Sequence, residues 1–131
     1  MAYDPKAITE DQRSYAYKTM WLGLPFSIVL LICMQFEALE FLSTLVGGFV
    51  SGTFIALAWA WSHDEFVRGQ IAFASNCALS FAGVVLFLQL VPIARDYPIG
   101  AGQAIAIMAV IFHVALAYRR IRDGELKETG E

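Results

Sequence analysis

Four apolar runs separated by short polar interruptions organise this chain. They extend from Thr19 to Phe36, Phe41 to Trp61, Gly69 to Val91 and Ile99 to Tyr118. Each is close to the ~20 apolar residues a helix needs to cross the hydrocarbon core of a bilayer. Between them lie Glu37-Ala38-Leu39-Glu40, the connector Ser62 to Arg68 and the connector Pro92 to Pro98. Strand-type alternation is absent. Where water is excluded, each backbone N–H and C=O must be paired inside its own segment, so all four runs are predicted to be helices. The expected fold is all-α, an integral membrane four-helix bundle forming a single domain over residues 1–131, with polar tails at 1–18 and 119–131.

The break at residues 35–40 carries no Gly or Pro to turn the chain. One continuous helix from about residue 20 to 61 would far exceed the length of a bilayer core. It would also hold Glu37 and Glu40 near mid-membrane, at roughly 2.5–3.5 kcal/mol for a charged carboxylate. A tight hairpin puts both carboxylates at the outer interface, and it is the expected arrangement. Pro92 and Pro98 bracket the last connector as helix-ending prolines do, with Arg95 and Asp96 neutralising each other between them. Residues 9–18 can form a separate amphipathic interfacial helix with Thr9 as its N-cap. The start of the chain is too polar for a signal peptide, so the first apolar run is expected to remain as an anchor.

Composition agrees with this pattern. Of 131 residues, 58% are hydrophobic and 16% charged, with mean hydropathy +0.59. A small soluble protein must spread charge over a large surface, and here charge gathers at the ends and connectors instead. The net charge of −3 and the lack of a dense basic stripe argue against a nucleic-acid partner. With four spans, Lys6, Arg13, Lys18, Arg68, Arg119, Arg120, Arg122 and Lys127 share one side, and Arg95 alone occupies the other. Positive charge marks the cytoplasmic face, so both termini are expected there. Trp21, Trp59, Trp61, Tyr17, Tyr97 and Tyr118 fall near the proposed interfaces, as aromatic belts do.

Candidate chemistry is sparse. In the second run, Ser43, Gly47 and Ser51 recur at four-residue spacing, and Gly48 with Gly52 forms a GxxxG. Such faces let helix backbones approach closely and let hydroxyls bond across the contact, either with neighbours in the same chain or in an oligomer. Asn76 and His113 are polar residues inside spans and form a possible intramembrane polar site. Asn76 is expected to face another helix. His113 shares a stripe with Gly102, Ala106, Ala109 and Ala117, which points it inward. Ser62, His63, Asp64, Glu65 and Arg68 form a cytoplasmic cap or docking cluster, with Ser62 and Glu65 matching a capping box and Arg68 within reach of both acids. Glu37 and Glu40 are outer-interface carboxylates that could also serve a cation entrance. His63 and His113 could in principle hold haem or a metal, but they are expected at different depths. Cys33 and Cys77 read as small buried hydrophobes. No nucleophile–base pair, phosphate loop or zinc motif occurs. No catalytic residue, metal ligand or cofactor is assigned.

The stretch HDEFVRGQIAFASNCALSFAGVVLF and the closing LAYRRIRDG resemble a pattern found in uncharacterised small bacterial four-helix inner-membrane proteins. Those proteins have a cytoplasmic DE-x-x-R connector opening the third helix and an Arg-rich end after the fourth. Asp64, Glu65 and Arg68 match the connector, and Arg119, Arg120 and Arg122 match the end. The resemblance implies a multi-pass location in the bacterial inner membrane and carries no activity. Small multidrug transporters are also four-helix proteins near this size, but their essential carboxylate lies within the first span, whereas Glu37 follows it. The expected function is non-enzymatic: an accessory or stabilising subunit of a larger inner-membrane complex, acting by helix–helix association. Its expected partners are the lipid bilayer and other membrane subunits or copies of itself. The alternatives are a small oligomeric transporter or channel using Glu37, Glu40, Asn76 and His113, and a haem- or metal-binding membrane protein.

Overall fold

The computed structural model describes residues 10–36, 39–59, 65–92 and 99–128. They form four helices: α1 (Glu10–Cys33), α2 (Glu40–Ala58), α3 (Glu65–Leu90) and α4 (Ala101–Glu128). Glu37, Ser62, His63, Asp64, Arg95 and Asp96 lie outside the described residues, and with them the capping box and the Arg95–Asp96 pair.

The helices follow the apolar runs but overrun them into charged sequence. α1 begins at Glu10, α3 at Glu65, and α4 continues to Glu128. The separate interfacial helix expected before Thr19 is instead the first part of α1. Once a helix is nucleated, each further residue adds a hydrogen bond, and Glu, Gln, Arg and Lys are good helix formers, so polarity alone does not end it.

α1 and α2 are two helices packed on one another, not one continuous rod. Lacking Gly and Pro, the chain leaves α1 through tightened turns. Gln35 N–H donates to Ile32 O at 3.0 Å, Phe36 N–H to Cys33 O at 3.1 Å, and Leu39 N–H to Phe36 O at 3.0 Å. These i→i+3 bonds satisfy carbonyls that the helix end would otherwise orphan.

α1 packs on α2 and on α4, and α3 packs on α4. Each packed pair is antiparallel. Phe26 stacks on Phe49 while Leu30 lies beside Gly47; Gly23 meets His113 while Gly102 lies beside Met34; Gln70 reaches Asp123 while Gln89 reaches Ile99. One end of the bundle therefore gathers the starts of α1 and α3 and the ends of α2 and α4. It carries Lys18, Arg68, Arg119, Arg120 and Arg122, and is called the arginine-bearing end below.

Two apolar clusters hold the helices together. Val46, Val50 and Ala109, with Phe26, Leu30 and Phe54, join α1, α2 and α4. Leu57, Val67, Ile71, Ala74, Ala78, Phe112 and Leu116 join α2, α3 and α4. α2 and α3 make little direct contact, and beside the last turn of α2 an apolar crevice of about 410 Å³ opens between them, lined by Phe54, Leu57, Ile71, Ser75, Met108 and Phe112.

Most apolar surface faces outward. α2, α3 and α4 are each long and apolar enough to cross a membrane, yet only 22%, 22% and 28% of their apolar windows are buried. Phe41, Leu45, Leu79, Phe87, Leu90 and Ile105 are all exposed. α1 differs from the expected first span in ending at Cys33 rather than Phe36, and among the described residues its apolar portion is Trp21–Cys33.

Candidate functional site

Among the most enclosed polar side chains of the described residues is His113, which is 1% exposed. α4 presents it with Ala106 and Ala109 on one buried stripe, and these alanines leave room for α1. His113 Nδ1 lies 2.7 Å from Ala109 O and 3.0 Å from Ser27 Oγ. A carbonyl oxygen only accepts, so Nδ1 carries the proton. Ser27 donates its hydroxyl hydrogen to Gly23 O at 2.5 Å and accepts a share of the Nδ1–H through its lone pairs. The rings of Phe54 and Phe112 flank the imidazole, with centroids 5.8 and 5.2 Å away.

In the neutral ring this leaves Nε2 with a lone pair, buried and without a hydrogen-bond partner. Nε2 faces the α1 backbone at Gly23, where even a single added Cβ would overlap the ring. The nitrogen that would have to bind iron or another metal is therefore covered by helix. The arrangement suits a packing lock between α1 and α4 better than ligation.

A second polar cluster closes the arginine-bearing end. Gln70 is 1% exposed, and its Nε2 donates to Asp123 Oδ2 at 3.3 Å. Arg119 Nε donates to the same oxygen at 3.1 Å. The Arg119 guanidinium lies 5.6 Å from the Phe73 ring centroid, and that of Arg120 lies 5.7 Å from the ring of Trp21. These contacts tie α1 and α3 to the last turns of α4. Arg119 is partly exposed, so its ion pair contributes little by itself; the buried amide of Gln70 is the costlier group to strand. Asp123→Ala should destabilise the bundle by about 1–3 kcal/mol, and Asp123→Asn, which keeps an acceptor oxygen, by less. Unfolding midpoints in mixed micelles check this. Equal midpoints for both variants and the parent would show that the cluster holds nothing.

The other candidate residues separate from one another. On α2, Ser43 and Gly47 are half-buried, and a Cβ at Gly47 would lie 3.6 Å from Leu30 of α1. Gly48, Ser51 and Gly52 are exposed, and a Cβ at Gly48 or Gly52 would meet nothing within 4 Å. The hydroxyls of Ser43, Thr44 and Thr53 bond carbonyls of α2 itself, at 2.7, 3.0 and 2.7 Å, rather than bonding across the contact as expected. Glu40 is exposed at the start of α2. Glu65 and Arg68 form an exposed pair 3.8 Å apart on the first turn of α3.

Asn76, expected against a neighbouring helix, is instead exposed on the outer face of α3. The buried side of α3 is set by Val67, Gln70, Ile71, Ala74, Ala78 and Val85. Two residues beyond Ala74, Asn76 lies about 200° round the helix. Cys33 is buried and Cys77 half-buried, both as free thiols. Among the described residues no three His, Cys, Asp or Glu side chains gather where they could hold a metal ion.

Sequence reasoning missed Gly23, Ser27, Gln70 and Asp123. Gly23 and Ser27 stand four residues apart and so share a face of α1, which is a legible signal. What the spacing could not reveal is that this face meets His113. Comparison of the chain with protein-family models, characterised proteins and solved structures finds no match.

Proposed function

We propose that this chain is a non-enzymatic multi-pass membrane protein that works by lateral association, as an accessory or stabilising subunit of a larger membrane complex. The observation that carries the reading is the outward direction of Gly48, Ser51 and Gly52. They open a smooth strip on α2 that the chain's own helices leave uncovered. Small residues at four-residue spacing let a second helix backbone come close enough for extensive van der Waals contact, the main attraction between helices in lipid.

Membrane insertion is supported by three long apolar helices whose side chains mostly point outward. In water such a surface would drive aggregation; in hydrocarbon it is solvated. In the proposed arrangement α1 crosses beside its neighbours, both termini are cytoplasmic under the positive-inside rule, and the membrane is the bacterial inner one. The polar groups that a conduction path would need diverge. His113 is sealed between α1 and α4, Asn76 faces outward on α3, and Glu40 lies at the end opposite the arginines.

The test is capture of the tagged chain from membranes in mild detergent, followed by mass spectrometry. A larger membrane partner should be retained by the parent and lost with Gly48→Leu/Gly52→Leu. A Cβ at either position meets nothing within 4 Å, so these outward substitutions should leave the bundle folded. Retention by the double variant, or proton- or substrate-driven flux from the chain alone in liposomes, would overturn the reading.

A further inference from the structure

The side chain of Asn76 has no hydrogen-bond partner among the described residues; beyond the helix ladder, only its backbone carbonyl is engaged, by Ser80 Oγ at 2.8 Å. It lies near the middle of α3, on the pole opposite the buried residues. In water an exposed asparagine needs no explanation. On a membrane span the same position faces hydrocarbon, where an unpaired amide loses water's hydrogen bonds and gains none.

The surface around Asn76 can be approached closely. Gly69, Ala72 and Gly83 are exposed on the same side of α3, and a Cβ at Gly69 or Gly83 would meet nothing within 4 Å. A helix laid here could bring its backbone near enough to reach the amide. The group it must offer at that depth is one donor and one acceptor, and an amide provides both. A second copy of this chain, related by a two-fold axis along the membrane normal, sets an identical amide opposite Asn76. Each then donates to the other's carbonyl oxygen. Such a contact is self-complementary and closes as a dimer, whereas pairing α3 of one copy with α2 of the next would propagate without closing.

We infer that the outer face of α3 is a homodimer contact in the membrane, with Asn76 bonded to Asn76 of a second copy across the axis. The inference rests on the membrane placement proposed above and is independent of the α2 contact. It assigns α3 to self-association and leaves the Gly48–Gly52 face for a different helix.

The test begins with membrane fractionation. Extraction of the chain by carbonate would sink both this inference and the proposed function. For a chain retained in the membrane, single cysteines are introduced at Ala72, Gly83, Leu45 and Ile105 in a Cys33→Ala/Cys77→Ala background, and oxidised in native membranes. Same-position disulfide dimers are expected at Ala72→Cys and Gly83→Cys and at neither Leu45→Cys nor Ile105→Cys. In the otherwise native chain, Asn76→Leu should weaken dimerisation on the order of tenfold, as the loss of interhelical amide bonds predicts. Asn76→Gln should retain most of it. Asn76 is exposed, so Asn76→Leu does not threaten the fold. Dimers that form equally well with Asn76→Leu would overturn the inference. So would disulfides joining α2 to α3, or an absence of cross-links at positions 72 and 83. None of these outcomes bears on partner capture through Gly48 and Gly52.

Discussion

Gly23→Ala should destabilise this bundle, although alanine is the better helix former. Replacing a helical glycine by alanine ordinarily gains up to about 1 kcal/mol. At Gly23 the new methyl would occupy the space of the His113 ring, at Nε2 and Cδ2. The ring is not free to swing aside. Its Nδ1 is held by Ala109 O and Ser27 Oγ, and Phe54 and Phe112 flank it. α1 and α4 must separate, or the ring must leave its hydrogen bonds. Overpacking of this kind costs about 1–3 kcal/mol and occasionally more, which exceeds the propensity gain. The same change at Gly69 or Gly83 meets open space and should leave the chain unchanged or slightly more stable. The opposite sign at the two kinds of site is the checkable result, read from unfolding midpoints in mixed micelles. A midpoint for Gly23→Ala at or above that of the parent would mean that the close approach of α1 to His113 is wrong.

His113→Ala should be the most damaging truncation, at about 3–5 kcal/mol by comparison with buried aromatic residues. It opens a cavity between α1, α2 and α4 and removes the only side chain that bonds across the α1–α4 contact at this depth among the described residues. Ser27→Ala should be mild, under about 1 kcal/mol, because His113 keeps its 2.7 Å bond to Ala109 O. The double variant Gly23→Ala/His113→Ala supplies the sharper measurement. If the methyl and the ring compete for one space, the pair should cost less than the two separate losses together, by about 0.5–3 kcal/mol. Strict additivity would show that the two residues do not touch.

Both effects depend on a contact between residues ninety positions apart on the chain, and such contacts mark the limit of the sequence reading. His113 illustrates it. Its stripe of alanines already directs it inward, because a helix repeats every 3.6 residues and the neighbours of a residue on its own face can be counted. That α1 covers the ring, and that Gly23 supplies the gap, depends on which helix packs against α4.

α2 divides in the same way. Ser43, Gly47, Gly48, Ser51 and Gly52 are visible as small residues at helical spacing. Only the position of α1 turns Gly47 inward and leaves Gly48 and Gly52 outside. Asn76, expected against another helix, finds none within this chain. A polar residue in an apolar run invites an inward placement, yet the buried side of α3 is chosen by Val67, Ile71, Ala74 and Ala78 together, and one amide cannot outweigh them.

The number of helices, the apolar stretch that each one contains and the gathering of positive charge at one end were legible in the linear order of residues. Apolar length, hydrogen-bond self-sufficiency and charge are properties of short segments and need no partner to be evaluated. The order in which the helices pack, the face each one hides, and the enclosure of His113 emerged only with the assembled bundle. Shape complementarity belongs to pairs of surfaces, and the members of each pair here come from distant parts of the chain.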